Sequence, residues 1–369
     1  MDKIKLSSLE MLALIMMLVL GTSLVISQAD ASRQDAWIAN LLGIIPGVLI
    51  FLMYGFLHSR FPGYTLLGYA KLLLGSYLGK ALGFLYLLFF LYGASRDLRD
   101  NGALIAMKAL TRTPIGVVNM IMILTVAYVL YLGIEVLGRT AMLFLVLIII
   151  LGAVSLGLLT FSGVIHLSFI QPILGQGWKP VLQAVYQEVW MFPFGETICF
   201  VMLLPYLTGK AAGTGIGITA VVLAGLMLVV TVFITITVIG PDLRMRSDFP
   251  LQTVISLIRI QNFIERLDVV FIMTAVIGMC FKISIYYQAA LLAASELFHI
   301  PVKRLILPFA FILLIASLTI AGSFQEHHEE GKAVLVTIFP VFSVCIPLLL
   351  VVVALVKPRK KELKRDEQG

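Results

Sequence analysis

Three ionisable residues stand inside otherwise apolar runs. Glu188 and Glu196 lie in VYQEVWMFPFGETICF, and Lys282 lies in GMCFKISIYYQ. A charge at bilayer depth costs roughly 2.5–3.5 kcal/mol on insertion scales, so such residues face a partner or a wet cavity. Glu196 and Lys282 are therefore candidate partners of one another or candidate substrate-contacting groups. The competing reading is a structural ion pair that fixes helix packing.

Two backbone interruptions accompany these charges. Gly21-Thr22-Ser23 sits between Leu20 and Leu24, and Pro193-Phe194-Gly195-Glu196 sits in the middle of the second apolar run. Proline removes an amide and clashes one turn back, and glycine lowers helix propensity, so both sites free backbone groups that need other partners. Breaks at matching positions of two inverted repeats build the central binding site of many transporters. A packing kink is the alternative for either break taken alone.

The remaining polar clusters carry weaker messages. Arg96, Asp97, Arg99 and Asp100 form a charged run in which Arg96 and Asp100 can pair one turn apart, and the pattern reads as a solvated face near the outer surface or in a water-filled vestibule. Glu135 and Arg139 have the same spacing and read as a structural pair at the opposite interface. Glu326-His327-His328-Glu329-Glu330 is not a zinc-protease motif, there is no G-x-S-x-G, and Gly209-Lys210 lacks the upstream glycine of a phosphate-binding loop. Gly213-Thr214-Gly215-Ile216-Gly217 opens an apolar run and reads as close helix packing. Cys199, Cys280 and Cys345 have no paired spacing and read as reduced packing residues. Neither catalysis, a metal nor a cofactor is expected.

The elements that must position these residues follow from composition. Of 369 residues 60% are apolar and 13% charged, with a net charge of +7. A soluble domain has about 25% charged residues, so this chain is too poor in charge to solvate its own surface. An ordinary soluble enzyme, a disordered regulator and a secreted disulfide scaffold are excluded. Hydropathy and loop punctuation predict ten spans, at about 9–28, 35–57, 80–104, 115–134, 140–162, 182–206, 213–239, 267–297, 304–323 and 333–356. Their length and lack of alternation exclude a membrane barrel and leave a bundle of helices. The first run follows Lys3 and Lys5 and precedes Ala29-Asp30-Ala31, as in a signal peptide, but exceeds the usual h-region of about 7–15 residues and reads as span 1. The segment 250–262 predicts a short amphipathic helix, either at the interface or on the bundle. Ten spans put both termini on one side. The basic residues Lys357, Arg359, Lys360, Lys361, Lys364 and Arg365 predict that side to be cytoplasmic, with the acidic segment around Glu329 outside.

Taken together, these residues resemble the spore germination permease family, the B subunits of germinant receptors within the amino acid-polyamine-organocation superfamily. The resemblance rests on the glycine-broken span 1, Arg112-Thr113-Pro114, the segment Gly-Ile-Glu-Val-Leu-Gly-Arg at 133–139, Phe192-Pro193-Phe194-Gly195-Glu196 followed by Leu204-Pro205, and the basic tail. It implies an all-α integral membrane fold: a single polytopic domain over 1–369, with inverted five-helix repeats at about 9–162 and 182–356 and a cytoplasmic tail at 357–369. It also implies residence in the inner membrane of a bacterial spore and assembly with a membrane-anchored A subunit and a lipoprotein C subunit. The implied role is to sense a small nutrient, commonly an amino acid, and to trigger germination. Two other roles remain open, a stand-alone amino-acid permease and an assembly subunit without a ligand. By the same resemblance the pocket lies between the breaks of spans 1 and 6. Its residues would be Gly21 and Thr22 from span 1, Phe89 and Gly93 from span 3, Phe194, Gly195 and Glu196 from span 6, and Lys282 and Tyr286 from span 8. Some members of the family carry a small neutral residue where Lys282 stands, which leaves a carboxylate contact, a pair with Glu196 or a substitute for a coupling cation as its roles.

Overall fold

The computed structural model describes residues 5–208, 213–257 and 267–356. The basic tail 357–369, Lys3, Lys210, Arg259, Arg266 and the end of the 250–262 segment lie outside the described residues. Among the described residues there is no strand, only an isolated bridge between Leu6 and Leu207. Nine helical segments there are long and apolar enough to cross a membrane, and a shorter apolar helix precedes them.

That first helix, α1 (Ser8–Leu20), opens with a capping box in which the Ser7 side chain accepts from the Glu10 amide and Glu10 reaches back to the Ser7 amide. Nearly every residue from Met11 to Leu20 is buried, which is why the helix has no polar face and runs through the middle of the bundle. It is followed by α2 (Ala36–Arg60), a short α3 (Leu66–Leu74), α4 (Ser76–Lys108), α5 (Ile115–Leu132) and α6 (Ile134–Ser162). Span 6, Trp178–Tyr206, is divided into α7 (Trp178–Ala184), irregular turns and α8 (Phe200–Leu203). Then come α9 (Gly213–Arg246), α10 (Pro250–Ser256), α11 (Leu267–Phe298) and α12 (Val302–Thr319). The tenth span joins α13 (Phe324–Pro340) to α14 (Ile346–Val356) through a π turn.

Helices occupy all ten expected spans, the first of them shorter than membrane length, with local differences that have physical causes. Gly133 takes a φ of +110° that ends α5 and lets α6 start at once, so span 5 begins at Ile134 and not near 140. The unanticipated α3 is held by polar anchors: Thr65 caps it by accepting from the Gly68 amide and donates to Glu296 of α11, and Lys71 pairs with Glu296 at 3.1 Å. In the amphipathic 250–262 segment, α10 buries Pro250, Val254 and Ile255 against α9 and α11, so this helix is part of the bundle. The charged pair Glu135 and Arg139 forms as the spacing predicts, at 3.8 Å, and Arg139 also meets Glu10 of α1 at 3.7 Å.

Glycines decide the closest helix approach. A Cβ on Gly217 would stand 1.7 Å from the Phe51 ring, and one on Gly55 would stand 2.3 Å from Thr214, so α2 and α9 pack almost backbone to backbone. Within α9, Gly240 adopts a φ of +74° before Pro241 and kinks the helix. The Leu6 amide donates to the Tyr206 carbonyl at 2.8 Å and the Thr208 amide to the Leu6 carbonyl at 2.8 Å. The start of span 1 is thereby tied to the finish of span 6, and the two broken spans run in opposite directions through the core.

Candidate functional site

Both breaks expected in the sequence occur. After Gly21 the α-helix gives way to a single 3-10 turn, Thr22–Leu24. A Cβ on Gly21 would lie 3.0 Å from the Lys282 Cβ and 3.2 Å from the Gly278 carbonyl oxygen, so glycine is what lets α1 reach α11. In span 6 a π turn over Val185–Val189 precedes Pro193, and a 3-10 stretch over Phe194–Cys199 follows it. Such departures from α-geometry re-aim side chains and backbone groups.

Four spans converge between the breaks. Lys282 of α11 is fully buried, and its Nζ lies 2.7 Å from Glu196 Oε2 in span 6 and 3.4 Å from Asp97 Oδ1 in α4. The Asp97 and Glu196 side chains are only 7% and 6% exposed, so unpaired charge in the cluster is costly. Thr22, in the span 1 turn, donates its hydroxyl to Asp97 Oδ1 at 2.9 Å. The Phe192 ring faces the ammonium, with its centroid 4.6 Å from Nζ.

A cavity of about 80 Å3 adjoins this cluster, with Asp97, Glu196, Gly93 and Phe192 on its wall. Arg96, Glu188 and the exposed Lys332 also line it. Glu188 accepts from the Ala29 amide at 3.0 Å, which ties the π turn to the connection after span 1. His327 Nε2 lies 2.9 Å from Asp100 Oδ1, and Arg96 donates to the His327 carbonyl oxygen and, at 3.2 Å, to the Tyr92 hydroxyl. Arg96 and Asp100 thus both bind α13, where their spacing alone had suggested a mutual pair. The charged run is correspondingly not an outer solvated face: Asp97 and Asp100 are buried, and with Arg96 they line the cavity, as in the vestibule alternative. Among the described residues no group of three or more His, Cys, Asp and Glu is placed to hold a metal ion.

The expected site residues divide into two sets. Thr22, Glu196 and Lys282 form the cluster, Gly21 lets α1 meet the Lys282 Cβ and the Gly278 carbonyl, and Gly93 lines the cavity. The Tyr286 ring packs on Gly93, where a Cβ would lie 2.4 Å from Cε1. Gly195 packs on Met191, 2.8 Å from its sulfur by the same measure. Phe89 is one ring removed from the cavity: it stacks on Phe342 at 4.6 Å and touches Phe339, which is the residue on the cavity wall. Phe194 points away altogether, into the contact of α2 with α9, where a Cβ on Gly47 or Gly225 would come within 2.7 and 3.2 Å of its ring. Sequence reading missed Asp97 and Phe192. Asp97 lies four residues after Gly93, on the same helix face, and that spacing is the signal that could have found it.

The spore permease family, described as spore germination protein, matches residues 5–325. The chain belongs to this family. Spore germination protein KB of Bacillus subtilis (strain 168) is 36% identical to this spore permease over the full length of both chains. Spore germination protein YndE of the same organism is 25% identical over a match covering 51% of the spore permease and 52% of YndE. Among solved structures, the crystal structure of MhsT in complex with L-phenylalanine superposes with a TM-score of 0.67, at 13% identity, covering 95% of this chain and 90% of that one. The spore permease therefore has the LeuT-type transporter fold, built on inverted repeats with interrupted first and sixth spans.

Proposed function

We propose that this spore permease is the B-type subunit of a germinant receptor, binding a small nutrient in the cavity beside Asp97, Glu196 and Lys282. The observation that carries this reading is the convergence of both broken spans on one buried ion cluster bordered by a cavity, in a chain of a germination family. MhsT holds L-phenylalanine, which favours an amino acid as the nutrient, with the warrant of a shared fold. Thr22, Gly93, Glu196, Lys282 and Tyr286 are the ligand-facing or ligand-shaping set, and Gly21 and Gly195 give the breaks their shape. The ligand acts by binding one arrangement of the two repeats, 9–162 and 182–356, more tightly than another. A membrane-anchored A subunit and a lipoprotein C subunit receive that change in the spore inner membrane, with both termini of this chain on the core side.

The test is to exchange this subunit between germinant receptors and score the nutrient preference of the resulting spores. Preference is expected to travel with this chain. Preference that stays with the A and C subunits overturns the assignment.

A further inference from the structure

The buried cluster carries unequal charge. Asp97 and Glu196 bring two carboxylates, Lys282 brings one ammonium, and Thr22 is neutral. Neighbouring groups leave the sum unchanged. Tyr286 on α11 and Cys199 in span 6 are neutral in their ordinary states, and on α4 the positive charge of Arg96 offsets the negative charge of Asp100, both residues also contacting His327 of α13. His328, Glu188 and Lys332 also line the cavity, where Glu188 and Lys332 bring opposite charges. An excess negative charge away from water is strongly unfavourable, and a group so placed neutralises or acquires a counter-charge.

The geometry decides which partner a ligand meets. Asp97 and Glu196 are on the cavity wall, whereas Lys282 is behind them. Asp97 is 95% buried, and its Oδ2 has no hydrogen-bond partner among the described residues, while Oδ1 takes both Thr22 and Lys282. The half-buried Phe192 ring forms an adjacent part of the wall and offers a cation-π face. A positively charged group entering the cavity therefore meets the two carboxylate residues and the Phe192 ring on the wall, with the lysine behind them.

We propose that the Asp97–Glu196–Lys282 cluster exchanges one proton for the ammonium group of a ligand. Without ligand the two carboxylates share one proton. When an ammonium-bearing ligand binds, that proton leaves to bulk water and the ligand's charge takes its place, one positive charge in for one out. The ligand class is thus a primary amine or amino acid with its ammonium directed to the cluster. This inference rests on the cavity being the ligand pocket.

The experiment uses the full-length chain in lipid nanodiscs, with methylammonium as the cation and acetate as the anion control. Infrared difference spectra of the ligand-free protein should contain a protonated-carboxyl band that is lost in both Asp97→Asn and Glu196→Gln. Methylammonium should bleach that band in the unaltered protein, release one proton to a pH indicator, and bind about tenfold more tightly per unit rise in pH where the cluster is protonated. Acetate should do none of these. A band absent from the unaltered protein, or methylammonium that fails to bind or binds without proton release, overturns the exchange. The pocket reading fails separately, in the subunit exchange, so the two failures are distinguishable.

Discussion

Phe192 and Phe194 flank one proline and do opposite work. Phe192 faces the Lys282 ammonium from the cavity wall, while Phe194 fills a slot floored by Gly47 and Gly225. Truncating Phe194 to alanine should cost about 3–5 kcal/mol as a large-to-small core change, read as a lower melting temperature of the purified protein. Phe192→Ala should leave the melting temperature close to the parent value and shift the nutrient dose-response of spores. The reverse pattern would exchange their roles. Lys282→Met leaves Asp97 and Glu196 facing each other in the interior, and breaking such a buried pair costs about 3–5 kcal/mol. Adding Glu196→Gln to that variant should recover part of the lost melting temperature, because it removes one of the two carboxyl groups left without the ammonium. If the double variant melts no higher than the single, the ion cluster is not what Lys282 stabilises.

At the scale of elements, glycines set how near two helices come, and their positions separate packing from function. A valine at Gly21 would press on Lys282 and the Gly278 carbonyl and push α1 off α11, moving Thr22 away from Asp97. Spores carrying Gly21→Val with normal amounts of the protein should respond weakly or not at all to nutrient. An unchanged dose-response would remove span 1 from the site. Gly217→Ala acts elsewhere: its Cβ would overlap the Phe51 ring and wedge α2 from α9. It should lower thermal stability while the protein that remains keeps its nutrient sensitivity. The π and 3-10 turns of span 6 show why the break there was legible: Pro193 lacks an amide and Gly195 tolerates close contact, so no tertiary partner is needed to predict an irregular backbone.

For the whole molecule, the links between repeats hold the broken spans in place. Arg244, beyond the Gly240 bend of α9, is 2% exposed, pairs with Asp30 at 3.1 Å and donates to the Gln28 carbonyl, so it anchors the connection after span 1. Arg244→Ala strands that connection's polar groups and should destabilise the fold by about 3–5 kcal/mol, as for other broken buried pairs, measured by thermal melting in detergent. The proposed topology is tested at the same scale. An epitope at the exposed Gln325 and one at the C-terminus should be reached from opposite sides of the membrane, and finding both accessible from one side would overturn the orientation.

By itself the sequence determined that the chain is a ten-span helical membrane protein, that spans 1 and 6 are interrupted, and that Glu196 and Lys282 are buried charges needing an explanation. Those conclusions depend on local properties: hydropathy over about 20 residues, the missing amide of proline and the cost of charge in hydrocarbon. Only the tertiary structure decided which charges meet. Asp97 looked like one member of a surface run because its neighbours Arg96, Arg99 and Asp100 are charged, and its burial is fixed by α11 lying against α4. Likewise Phe89 and Phe194 are aromatic residues at plausible places along their helices, but the direction of a ring is set by the glycines and phenylalanines of other spans. Spacing along one helix gives the face a side chain occupies, and the neighbour on that face comes from packing between helices far apart in the chain.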